Sequence, residues 1–221
     1  MIVLFYRLCK YFLYRRVSAG SLWDGGWLVT GGDDSSSKLS SVLVYSNDEW
    51  QEYTSLPVGL DEHCQVTVGS DVFVIGGLIR NGGSSAVSTV YKLSDGIWTI
   101  FSSIKTPRRK HMCSVLNGTI YVMGGVGYPV SGYFSSVEML TPASNDLVAG
   151  PPLPAAVLDG QSVLYNNTVF VLGGWSNNVV NTGIYRLDGD NWVTEEVTFE
   201  YSDRYVFPSP LLSSDLLYCV E

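Results

Sequence analysis

Gly-Gly pairs at 31-32, 76-77, 124-125 and 173-174 recur at spacings of 45, 48 and 49 residues, counted between first glycines. A near-constant period of this length marks repeated supersecondary units. Ahead of each pair stands an apolar run: WLVT at 27-30, VFVI at 72-75, IYVM at 120-123 and VFVL at 169-172. Seven residues before each first glycine sits a turn former, namely Asp24, Gly69, Asn117 or Asn166. Two-residue hairpin loops need residues that tolerate positive φ, and a continuous apolar run is how a strand buried on both faces reads. Each unit therefore opens with a hairpin.

Before the turn lie strand-like runs such as HCQVTV (63-68), HMCSVL (111-116) and QSVLY (161-165). After Gly-Gly a variable polar loop leads to LVY ending at Tyr45, TVY at Tyr91, VEM at Met139 and GIY at Tyr185. A tryptophan follows at Trp50, Trp98 and Trp192, with Leu147 in the third unit. That makes four strands per unit. The 23 glycines and the 13% aromatic share agree with short strands and turns, since helix interiors disfavour glycine. The fold class read from these features is all-β, a β-propeller of four-stranded antiparallel blades.

The order Gly-Gly, Tyr, Trp resembles the kelch repeat, and LPVGLDEH, IKTPRRKHMCSVLNGTIYVMGG and LPAAVLDG extend the resemblance across roughly residues 17 to 200. The expected division is a partial blade at 1-16, repeats at 17-57, 58-105, 106-153 and 154-200, and a partial blade at 201-221. The terminal halves either join into a fifth blade or are the cut ends of a longer array. Tyr and Trp are expected to fill the wedges between blades, each burying about 150 to 250 Å², or roughly 4 to 6 kcal/mol before entropy. Leu147 and Met139 are then expected to make the third interface the weakest.

Strand alternation sends the loops after Gly-Gly and the segments entering the next blade to one face. There the sequence puts Asp33, Asp34, Arg80, Asn81, Tyr128, Trp175 and Asn177 from the loops, and Glu62, Arg109, Lys110 and Asp159 from the entry segments. In proteins this chain resembles, that face docks a peptide or protein partner. Many kelch-like proteins are substrate adaptors of cullin-based ubiquitin ligases with a BTB domain ahead of the repeats. The resemblance thus implies a non-enzymatic, cytoplasmic interaction module with a protein or peptide partner, no cofactor and no small-molecule substrate.

Charge and motif content bear on the other classes. The net charge of -8, with no basic run longer than Arg108-Arg109-Lys110, opposes a phosphate backbone, so no nucleic acid partner is expected. The N-terminal run MIVLFYRLCKYFLYRR carries Arg7, Lys10, Arg15 and Arg16, which leaves it well short of the ~18 uncharged residues of a membrane span. Some kelch-like propellers are copper oxidases or sugar-acid epimerases. Here, however, His63 and His111 both stand thirteen residues before Gly-Gly, and equivalent positions point to a structural role rather than a metal. No catalytic triad, zinc or phosphate-loop motif is present, and no catalytic or metal-binding residue is expected. Cys9, Cys64, Cys113 and Cys219 have no C-x-x-C spacing and are expected to be reduced. A secreted kelch-like protein is the alternative, motivated by Asn117-Gly118-Thr119 and Asn166-Asn167-Thr168, although both sites coincide with turns.

Overall fold

The computed structural model describes residues 18–80, 82–129 and 132–196, so both expected half-repeats lie outside the described residues. Turn chemistry sets the local structure. Asp24-Gly25 joins β1 (Ala19–Trp23) to β2 (Gly26–Thr30), and Asn117-Gly118 and Asn166-Asn167 do the same in later units; all six residues have positive φ. Gly69-Ser70 instead puts only its glycine at positive φ, the other economical two-residue hairpin. The asparagines thus supply the left-handed conformation that their turns demand.

Each hairpin extends to a four-stranded antiparallel sheet. The first adds β3 (Val42–Ser46) and β4 (Glu49–Tyr53). The second comprises β5 (Cys64–Val68), β6 (Asp71–Ile75), β9 (Thr89–Ser94) and β10 (Ile97–Ser103), with a side hairpin of β7 (Leu78–Arg80) and β8 (Ser84–Ala86). The third is β11 (Met112–Leu116), β12 (Thr119–Met123), β13 (Val137–Thr141) and β14 (Asp146–Gly150). The fourth is β15 (Gln161–Tyr165), β16 (Thr168–Leu172), β19 (Ile184–Asp188) and β20 (Asn191–Thr194), with the side hairpin β17 (Trp175–Ser176) and β18 (Val179–Val180). These are propeller blades whose first strands, β1, β5, β11 and β15, pack in succession along a central channel.

The core lies between blades. Leu28 and Val42 of the first sheet pack with Val72, Val74, Tyr91 and Trp98 of the second. Phe73, Ile75 and Val90 meet Ile120, Val122 and Leu140. Met112, Met123 and Val137 meet Val169, Val171, Tyr185 and Leu187. Trp98 and Trp192 each add an indole N–H bond to the preceding linker, at the carbonyls of Thr54 (2.8 Å) and Pro151 (3.0 Å).

Strand register corrects the expected tyrosine series. Tyr91 pairs with Val74 and Tyr185 with Val171, both two residues before Gly-Gly, but Tyr45 pairs with Trp27, two positions further along. In the third blade Val122 faces Glu138, not Met139. The series is therefore Leu43, Tyr91, Glu138, Tyr185. Glu138 is buried because Arg108, itself fully buried, donates to it at 2.8 Å and also to the carbonyls of Gly124 (2.7 Å) and Ser136 (3.0 Å). Phe134 stacks on the guanidinium at 5.3 Å. Leu60 and Val157, the counterparts of Arg108, lie in the same apolar clusters as Tyr91 and Tyr185. One blade has replaced an apolar–aromatic pair with an ionic one.

The two glycines of each pair do different work. The second donates its N–H across the blade boundary: Gly32 to Leu60 O at 2.8 Å, Gly77 to Arg108 O at 2.8 Å and Gly125 to Val157 O at 2.7 Å. The first lies so close to the same carbonyls that a Cβ would overlap them. The imidazoles of His63 and His111 wedge against Gly31 and Gly76 of the preceding blade, where burial drives their pKa down to about 4 and about 3. His63 contacts the Thr30 hydroxyl at 2.8 Å.

Along the first strand of each blade, side chains at odd offsets before Gly-Gly point to the preceding blade and those at even offsets to the following one, as strand alternation requires. Cys64 stands twelve residues before its glycine pair and Cys113 eleven before its own, so they face each other. They form a disulfide between β5 and β11 with Cα atoms 5.9 Å apart, which overturns the expectation of reduced cysteines at these two positions. Cys9 and Cys219 lie outside the described residues.

Candidate functional site

The residue entering each of the last three blades is held in the left-handed region, at φ 53° for Glu62, 55° for Lys110 and 51° for Asp159. Their backbones stack, with Lys110 N–H donating to Glu62 O and Asp159 N–H to Lys110 O, both at 2.9 Å. The side chains alternate in sign along this stack. Lys110 Nζ lies 2.7 Å from Asp159 and 3.9 Å from Glu62, whose carboxylate also pairs with Arg109. Arg109 places its guanidinium over the Tyr128 ring at 5.3 Å. Five of the expected face residues thus form one network.

The others are placed apart from it. Asp33 accepts from Lys38 at 2.7 Å, and Lys38 also pairs with the buried Asp61. Asp34 turns inward on its own loop, accepting Ser36 N–H at 2.9 Å and Ser37 N–H at 2.8 Å, and hydrogen bonds from Ser36 hold its pKa at about 2. Arg80 extends from β7 toward Ser36 O at 3.4 Å. Trp175 is half-buried and bridged to Leu158, and Asn177 sits at the tip of the β17–β18 hairpin. Asn81 lies outside the described residues.

Sequence reasoning passed over Lys38, Asp61, Tyr133 and Asn178. The Tyr133 hydroxyl donates to Asn178 Oδ1 at 2.7 Å and so ties the third loop to the fourth. Asp61 directly precedes Glu62, and its entry position was the available signal. Burial raises the pKa of both Asp61 and Asp159, against the stabilising lysines Lys38 and Lys110.

The arrangement is a plate of mutually neutralised charges with exposed phenol rings, Tyr128 at 43% and Tyr133 at 39%. Its carboxylates are engaged by cations, which suits recognition by shape and aromatic contact better than proton transfer. Among the described residues no group of three or more His, Cys, Asp or Glu is placed to hold a metal ion.

No protein-family model matches the chain. It is 26% identical over 177 residues to Kelch-like protein 26 of Danio rerio, covering 76% of this chain and 29% of that protein. It is 32% identical over 154 residues to Kelch-like protein 23 of Homo sapiens, covering 66% and 27%. To Kelch repeat and BTB domain-containing protein 1 of Camelpox virus (strain CMS) it is 25% identical over 166 residues, covering 73% and 29%. The chain spans 25% to 33% of the length of the first relatives it matches. The solved structure of YjhT superposes with a TM-score of 0.75 at 14% identity, over 86% of this chain and 67% of that one, and shares the fold.

Proposed function

Because this chain belongs to the kelch-repeat β-propeller family, we propose that it is a non-enzymatic interaction module that docks a protein or peptide on the face carrying Glu62, Arg109, Lys110, Tyr128 and Asp159. The observation that carries this reading is the plate itself. Its backbone is fixed by inter-blade hydrogen bonds, its charges are paired, and Tyr128 and Tyr133 stand exposed on loops of a rigid scaffold. Tyrosine and arginine are the residue types that dominate binding at such surfaces. Joined to a BTB domain, as the name of the camelpox relative prints for that protein, and placed in the cytoplasm, the module would select substrates for a cullin-based ubiquitin ligase.

Affinity capture with the wild type, compared with a variant carrying Arg109→Ala, Lys110→Ala and Tyr128→Ala, tests the face. Loss of a captured protein by the variant is the expected result, and identical captured sets would sink the proposal.

The Cys64–Cys113 disulfide favours a second reading, a secreted or cell-surface kelch protein, because stable disulfides belong to oxidising compartments. Asn117 and Asn166 lie in hairpin turns within acceptor triplets. A glycosidase-sensitive mass shift after expression in a secretory host supports this reading, and its absence removes it.

A further inference from the structure

Cys64 and Cys113 come from different blades, are separated by 49 residues, and line a central channel of about 460 Å³ together with Ser21, Gln65, Thr67 and Ser114. Cys64 is buried, whereas Cys113 is half-buried, and the first attack is therefore assigned to Cys113. We propose that this pair is a thiol–disulfide exchange site of the folded protein, closed and opened by small thiols and disulfides of the glutathione class entering the channel.

In the closing direction the Cys113 thiolate attacks one sulfur of the small disulfide. That S–S bond breaks, one small thiolate leaves, and a mixed disulfide remains on Cys113. The Cys64 thiolate then attacks the Cys113 sulfur and expels the second small thiolate. The two protein thiols lose two electrons, the small disulfide gains them, and the two thiol protons end on the released thiols. Opening is the reverse.

The consequence falls on one blade boundary. β5 and β11 are the strands that the bond joins, and across the same boundary Lys110 N–H meets Glu62 O, Arg109 pairs with Glu62, and Ala86 N–H donates to Tyr128 O at 3.0 Å. Closure therefore fixes the spacing of the second and third blades beneath the loops of the docking face.

The test incubates the folded, full chain without denaturant in reduced or oxidised glutathione, blocks remaining thiols by alkylation and maps the peptides by mass. Oxidised glutathione is expected to give linked peptides carrying Cys64 and Cys113, lighter by two hydrogen atoms than their sum. Reduced glutathione is expected to give both cysteines alkylated and a melting temperature lower by roughly 5 to 15 °C. The Cys64→Ser, Cys113→Ser double variant should melt at the reduced temperature under both conditions. Alkylation of both cysteines after oxidised glutathione, or a link that opens only in denaturant, would overturn the proposal. Peptide mapping of the wild type decides the matter even where the variant does not fold, and none of these readouts depends on partner binding.

Discussion

Arg108 and Glu138 form a fully enclosed ion pair at 2.8 Å in the third blade, at the place where the second and fourth blades set Leu60 with Tyr91 and Val157 with Tyr185 in apolar clusters. Removing Arg108 leaves the buried Glu138 carboxylate with no cation and, among the described residues, only the Lys105 and Thr106 N–H groups as donors, so Arg108→Leu alone is expected to cost about 3 to 5 kcal/mol. Arg108→Leu combined with Glu138→Tyr copies the second blade and should recover most of that loss. Chemical denaturation of the three proteins checks this, and additive losses in the double variant would show that the pair is not interchangeable with its apolar counterparts.

Stability should fall on mild acidification. His63 and His111 stay neutral in the folded protein because burial holds them at about 4 and about 3, while in the unfolded chain they take up protons near the ordinary 6.5. Their contribution is fully present above pH 6.5 and is lost as pH falls toward 4. The slope is up to about 1.4 kcal/mol per pH unit for each. Asp61 and Asp159, raised by burial, work in the opposite sense at the acid end, so the steepest loss is expected above pH 5. His111→Gln should roughly halve the slope in thermal melts recorded from pH 7 to 5.

Gly118 and Gly124 separate conformation from contact. Both have positive φ, but a Cβ at Gly118 meets nothing within 4 Å, whereas at Gly124 it overlaps the Val157 carbonyl. Gly118→Ala should cost about 1 kcal/mol, from backbone strain alone. Gly124→Ala adds a clash with main chain and is expected to cost at least about 2 to 3 kcal/mol, read from the shift in denaturation midpoint.

Lys110 holds a left-handed conformation that glycine adopts without strain. Lys110→Gly is therefore expected to be about 1 kcal/mol more stable than Lys110→Ala, although both lose the Asp159 contact. Equal stabilities would mean that the loop relaxes away from positive φ once the ion pair is gone.

The blades were legible because turn chemistry and strand alternation are local and repeat four times. Asp24, Gly69, Asn117 and Asn166 mark the hairpins that the structure contains, and Trp50, Trp98, Leu147 and Trp192 keep equivalent places opposite Tyr45, Leu93, Leu140 and Leu187. Lateral relationships were harder to read. The shared tyrosines of LVY and TVY align Tyr45 with Tyr91 although Tyr45 sits two residues further along its strand, and VEM offers Met139 where the register places Glu138. The disulfide was visible only as a difference of one in offset, twelve against eleven, which reverses the direction of a side chain. Lys38 was hidden because its partners Asp33 and Asp61 come from different blades.

The hydrogen bonds from Gly32, Gly77 and Gly125 to the entry carbonyls of the next blade involve only main-chain atoms. These bonds are therefore indifferent to which side chains project from the loops. Mutation can rewrite positions such as Tyr128 or Asn177 without breaking these bonds, so selection can change what this protein recognises far faster than it can change its shape.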